Sequence, residues 1–347
     1  MIESVPINGR NVLTLRTEAG RTERQWKSVL SWMLGIAGTR HVLALETYRW
    51  IAPLSAFYPD AVQVVDLSAW HVSFSRSSVV IDRDPESRSR LRPDYVALRS
   101  TGGRLYEWAV VEAKGTQASL ASIANCPTAW ANQVRNVVIT VDGSNITIPR
   151  HLVVATRVNP NATRRSTRRI QVRAWNRRED AGLVRPNLPQ GFAADIAAAH
   201  LFGLFRGLQL RENALALALS VQARAEAHPG RVRDATRRES DNIAQRCDVE
   251  LREHTRRPQR ADGSTSTVMQ VATDRGTIDV EIIEPVVTLA RKLQRAENED
   301  TAAAALQEAD AQIDDWERPR RAGQHEHADL WLPFGVELRL PDAFKSR

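Results

Sequence analysis

Apolar residues recur at Trp26, Val29, Leu30 and Met33, the spacing of one helix face, and Thr22 stands where a cap belongs, so residues 22–34 predict a helix. Positions 71–81 alternate apolar and polar well enough to predict a strand. Residues 94–99 form a second alternating run and 106–114 a third, on either side of Ser100-Thr101-Gly102-Gly103, and together they predict a β-hairpin. A mostly helical stretch follows over 119–138, interrupted by Pro127, and then a short apolar strand over 151–156.

The pattern changes between 181 and 191, where Gly182, Pro186, Asn187, Pro189 and Gly191 cluster and predict a boundary between a first domain over 1–180 and a second over 190–347. Alanine- and leucine-rich helices are predicted over 192–205 and 211–227, ending at His228-Pro229-Gly230. A polar helix over 231–257 comes next, then a hairpin with strands 268–273 and 277–283 around Asp274-Arg275-Gly276. Residues 286–317 return to helix and carry Glu297, Glu299, Asp300, Glu308, Asp310, Asp314, Asp315 and Glu317, a surface expected to keep away from DNA.

Composition narrows the class. The 347 residues are 42% hydrophobic and 26% charged, which is globular, and the net charge of +7 with a pI near 10.0 favours a polyanionic partner. Cys126 and Cys247 lie far apart with no metal spacing, which suits a reducing compartment. No leader-like start and no apolar run long enough for a bilayer are visible, so the expected location is the cytoplasm, with no membrane partner.

The positive charge is concentrated. Nine arginines and no acidic residue fall between 150 and 178. Arg164, Arg165, Arg168, Arg169, Arg173, Arg177 and Arg178, with Trp175 as a stacking surface, are the candidate nucleic-acid contacts, since guanidiniums that neutralise phosphates release counterions. A solvated basic face or a site for an acidic protein would have the same composition.

Against 44 arginines the chain has 4 lysines, and Lys114 stands two residues after Glu112 at the end of an apolar run. In an extended strand both side chains share one face with Trp108 and Val110, and the hairpin would bring Asp94 beside Glu112. Two converging carboxylates form a hard site suited to Mg2+ or Mn2+. Pro93-Asp94, seventeen further residues and then Glu112-Ala113-Lys114 resemble the PD-(D/E)xK motif of the restriction-endonuclease-like nucleases. The resemblance covers roughly residues 20–160. It implies an α/β protein with an αβββαβ core, here followed by a mainly α-helical domain containing a hairpin. It also implies metal held by Asp94 and Glu112, and a catalytic lysine, Lys114, that assists the attacking water.

Some members of that family add a glutamate from the first helix as a metal ligand, a role Glu23 or Glu46 could fill. Others place a glutamine near the active site, a catalytic role for which Gln133 is the candidate. Val137 stands where one such branch has tyrosine, a departure from that branch. The implied activity is metal-dependent phosphodiester hydrolysis, in DNA before RNA, in restriction or anti-phage defence or in repair and recombination. A catalytically silent nuclease fold that binds nucleic acid or scaffolds a partner is the competing class, and the second domain could recruit a protein or a second copy. His325, Glu326, His327 and Asp329 read as a polar loop, and Asp279, Glu281 and Glu284 as exposed carboxylates.

Overall fold

The computed structural model describes residues 2–7, 10–15, 24–58, 74, 79–87, 91–101, 106–116, 123–158, 170–178, 188–225, 231–256, 266–273, 276–321, 330–332 and 335–339. The protein is mixed α/β. Its elements run β1 (Ile2–Ile7), β2 (Arg10–Leu15), α1 (Arg24–Leu45), β3 (Trp50–Pro53), β4 (Val79–Asp82), β5 (Tyr95–Ser100), β6 (Tyr106–Thr116) and α2 (Thr128–Arg135). Then come β7 (Val138–Val141), β8 (Ser144–Ile146), β9 (Arg150–Val158), β10 (Ile170–Arg178), α3 (Gln190–Gly207), α4 (Arg211–Ala225) and α5 (Arg231–His254). The chain ends in β11 (Thr255–Arg256), β12 (Ser266–Thr273), β13 (Gly276–Ile283), α6 (Glu284–Arg295), α7 (Glu299–Arg321), β14 (Leu330–Leu332) and β15 (Val336–Arg339).

The central sheet has the order β10-β9-β6-β5-β3, and its only parallel pair is β6 with β9. The elements that build and cover it follow one another as α1, β3, β5, β6, α2 and β9, with β10 added at the edge. The hairpin lies where alternation puts it, with Tyr95 opposite Val111 and Ser100 opposite Tyr106. Of the strand expected over 71–81, the described strand residues begin at Val79 and do not enter this sheet. Its described end, β4, pairs instead with β7 in a separate three-stranded sheet, and the first strand of the central sheet is Trp50–Pro53. Trp50, Ile51 and Ala52 are all buried, so this strand shows no alternation to read.

Helix α1 packs through Leu43 on the face formed by Tyr48, Ile51, Ala97, Ala109, Val111, Leu152 and Val154. It approaches β6 backbone to backbone. A Cβ at Gly35 would come within 2.6 Å of Gly115 N, and one at Gly115 would collide with Ser31 O. Small residues therefore face the sheet, and Met33, expected on the buried side, is 56% exposed. Among the described residues of the stretch expected to be helical over 119–138, the helix runs from Thr128 to Arg135, starting directly after Pro127, whose fixed φ suits a helix entry.

The opposite face holds Trp50, Ala52, Val96, Leu98, Trp108, Val110 and Val153, and their apolar cluster continues without a break through α3, α6 and α7 to Leu289 and Ile313. Helix α3 is buried at every position from 191 to 201, which explains its alanine-rich, non-amphipathic sequence. His200 on this helix bonds the main chain of Ile51, at 3.0 Å to its N, and so covers the β3 edge. Arg49 reaches across to α7, with its guanidinium 2.7 Å from Asp310 Oδ1, 2.6 Å from Asp314 Oδ1 and 3.2 Å from Glu317 Oε2. The second hairpin belongs to a sheet of order β11-β12-β13-β15-β14. Glu281 there is 1% exposed rather than solvated, taking bonds from Ser266 Oγ at 2.5 Å and Arg339 Nη2 at 3.0 Å. Among the described residues no helix is long and apolar enough to cross a membrane.

Candidate active site

The register that pairs Tyr95 with Val111 sets Asp94 opposite Glu112, and Asp94 N–H donates to Val111 O at 3.1 Å. Directly opposed residues in an antiparallel pair share a face. Here each carboxyl lies close enough to the other to act on its pKa. Asp94 Oδ2 also accepts the Ala113 N–H at 2.8 Å, which fixes its rotamer.

Glu112 is 1% exposed. Burial, and then the neighbouring Asp94 carboxylate, push its pKa up to about 8, while Lys114 pulls the other way. Burial also raises Asp94, against the Ala113 N–H and Lys114. Lys114 Nζ forms an ion pair with Glu112 Oε1. No donor forms a hydrogen bond to Glu112 Oε2, and two ionised carboxylates have none to give each other. A shared proton or a hard cation is what such a pair lacks.

Helix α2 closes the site. Gln133 Oε1 accepts from Lys114 Nζ at 2.8 Å, and its Nε2 donates to Arg92 O at 3.0 Å. One turn on, Asn136 Nδ2 donates to Leu91 O at 2.7 Å. Two consecutive carbonyls just before Pro93-Asp94 are thus held by the helix that also orients Lys114. Gln133 and Asn136 are both buried, so neither is a solvated helix position. The sequence carries no signal for Asn136, which nothing local distinguishes from an ordinary helix C-cap.

Asp94, Glu112, Lys114 and Gln133 are therefore brought together, and Glu46 is not among them. Glu46 is tied to Arg150 at 3.4 Å, beside Glu107 and Tyr48, at the far end of β6, five residues before Glu112. At roughly 3.3 Å per residue that is about 16 Å away, too far for a shared cation. Glu23 lies outside the described residues, as do Arg164, Arg165, Arg168 and Arg169, and His325, Glu326, His327 and Asp329.

Arg173 and Trp175 sit on β10, and the side chains of Arg177 and Arg178 there are not described. Arg173 Nη1 donates to Ile123 O at 3.1 Å. The Trp175 indole N–H points to Ala124 O at 3.4 Å, and the ring packs edge-on against Trp130 at 6.2 Å. Trp175 is half-buried, and these contacts tie it to α2 and the segment before it.

Among the described residues no group of three or more His, Cys, Asp or Glu side chains is placed to hold a metal. The Asp94 and Glu112 pair nonetheless fits a hard divalent cation of the Mg2+ type, which keeps several waters and uses one or two carboxylates plus substrate oxygens. No family model, no curated protein and no solved structure matches the chain.

Proposed function

We propose that the protein is a metal-dependent nuclease that hydrolyses phosphodiester bonds, with DNA as substrate. The observation that carries this reading is the buried Asp94 and Glu112 carboxyl pair with Lys114 on the same face. The order α1, β3, β5, β6, α2, β9 supports it, because it repeats the αβββαβ arrangement that the PD-(D/E)xK resemblance implies.

Asp94 and Glu112 would hold the Mg2+ or Mn2+ ion. Such an ion stabilises charge on a phosphoryl oxygen and lowers the pKa of a bound water. The protein's own groups do the rest. The Ala113 N–H keeps Asp94 aimed at Glu112. Lys114, held by Gln133, presents an ammonium where a nucleophilic water must be oriented and where negative charge develops. The buried position of Glu112 keeps bulk water from screening that charge. Restriction of foreign DNA, or repair and recombination, are the settings in which this chemistry would serve.

The test is to incubate supercoiled plasmid with the purified chain and Mg2+ or Mn2+, beside Lys114→Ala and Asp94→Ala. Cleavage by the wild type that requires metal and falls by about 10²-fold or more in each variant is expected. Cleavage that persists in both variants, or none at all in the wild type, would remove the assignment.

A further inference from the structure

Strand register sorts the arginines of the basic segment by face. Even-numbered positions of β9 face α1, as the clash of a Gly38 Cβ with the Thr156 side chain shows. Arg150 belongs to that face and is consumed by Tyr48, Glu46 and Glu107. Arg157 belongs to the other face. It pairs with Thr116 on β6, and Thr116 stands two positions beyond Lys114 on the same side of the same strand. One strand spacing and two residues separate Lys114 from Arg157, about 8 Å between Cα atoms, within reach of one long side chain.

The partners of Arg157 are incomplete for a guanidinium. Nη1 donates to Gln171 Oε1 at 3.3 Å, a neutral acceptor directly across the β9 and β10 pair. Nε is buried with no hydrogen-bond partner among the described residues. Among the described residues no carboxylate forms an ion pair with it, in contrast to Arg49, Arg99 and Arg150, each of which meets one. A buried N–H of a charged group left without an acceptor is costly, and an anion on this face would supply one.

We infer that Arg157 binds a backbone phosphate of duplex DNA next to the one that lies at Asp94, Glu112 and Lys114, and so sets the register of the strand across the sheet. The site rests on the nuclease reading for the position of the reacting phosphate, but its binding role can be measured without cleavage. Gln171 acts as a positioning residue that holds the guanidinium fork. Arg173 does not share the role, because its guanidinium is drawn to Ile123 O.

The experiment measures binding of the full chain to a labelled duplex of about 20 base pairs in EDTA, over a series of salt concentrations. Each phosphate contact contributes about 0.9 to the slope of log K against log salt on duplex DNA. Arg157→Gln should lower that slope by about 0.9 and weaken binding severalfold at 0.1 M salt. Arg157→Lys should keep most of the slope, because it keeps the charge. Arg318→Gln, on the acidic and exposed surface of α7, should change neither. Melting temperatures of all variants identify any that fail to fold, and in that event the Arg157→Lys comparison decides.

An unchanged slope in Arg157→Gln, an equal loss in Arg318→Gln, no binding by the wild type, or dependence on Arg157 only with single-stranded RNA would each overturn the inference. A plasmid assay run in parallel separates it from the nuclease assignment. Binding that depends on Arg157 without metal-dependent cleavage removes the assignment alone. Cleavage with binding indifferent to Arg157 removes only the inference.

Discussion

At the scale of single residues, the chemistry gathers at Glu112, a carboxylate that the fold buries against another. Its folded pKa of about 8 lies above the unfolded value. The folded protein therefore holds a proton that the unfolded chain has released above about pH 4.3. The sign follows directly: stability of the metal-free protein is full below that pH and is lost as pH rises toward about 8. Urea unfolding in EDTA at pH 5 and pH 8.5 should differ by a few kcal/mol in the wild type, at about 1.4 kcal/mol for each pH unit crossed, and by much less in Glu112→Gln. An equal pH dependence in both proteins would mean that the carboxyl is solvated. The three motif residues could be read from the sequence because period-two alternation and a Gly-Gly turn fix which side chains share a face. Gln133 and Asn136 had only a local helix signal, and their burial depends on loop carbonyls more than forty residues earlier, at Leu91 and Arg92.

At the scale of elements, α2 works as a brace and α1 as a backing plate. Asn136→Ala removes the donor to Leu91 O while leaving every motif side chain in place. Removing such a support is expected to cost about 10- to 100-fold in metal affinity or activity. The expected pattern is a raised Mg2+ requirement at unchanged DNA binding, which a metal titration of the cleavage rate would show. An unchanged Mg2+ dependence would reduce Asn136 to a helix cap.

Gly115 lies where Ser31 O meets the β6 backbone, so Gly115→Ala has no flexible neighbour to displace. Overpacking of this kind costs roughly 1–3 kcal/mol, which should appear as a lower denaturation midpoint. A midpoint within error of the wild type would show that the helix can retreat freely. This close approach also explains why the apolar pattern of the first helix misleads. The side that touches the sheet is built from Ser31, Gly35, Gly38 and Thr39, and large side chains such as Trp32, 63% exposed, turn outward. In the same way β3 gives no alternating signal because both of its faces are covered.

At the scale of the whole molecule, the composition break between 181 and 191 is not a break in packing. Arg49, at the head of β3, is buried among Asp310, Asp314 and Glu317 of α7, and Trp50 Nε1 donates to Asp310 Oδ1 at 3.0 Å. Arg49→Met leaves Asp310 and Glu317 as buried acids without their cation, an arrangement that costs about 3–5 kcal/mol. Thermal unfolding of this variant, followed by both tryptophan fluorescence and far-ultraviolet circular dichroism, should shift downward as a single transition. Two separated transitions would mean that the two halves fold independently. The long acidic helix is readable in sequence as a charged surface. That two of its carboxylates, Asp310 and Glu317, turn inward follows only from the distant arginine they meet.

The cover that His200 places on the β3 edge leaves the central sheet, among the described residues, with its other border at Ile170–Arg178. Exposed strand borders invite copies of a chain to zip together. This one carries Arg173, Arg177 and Arg178, so two like borders repel before their main chains can meet. The same charge that favours a polyanion thus protects the protein from polymerising through its own sheet.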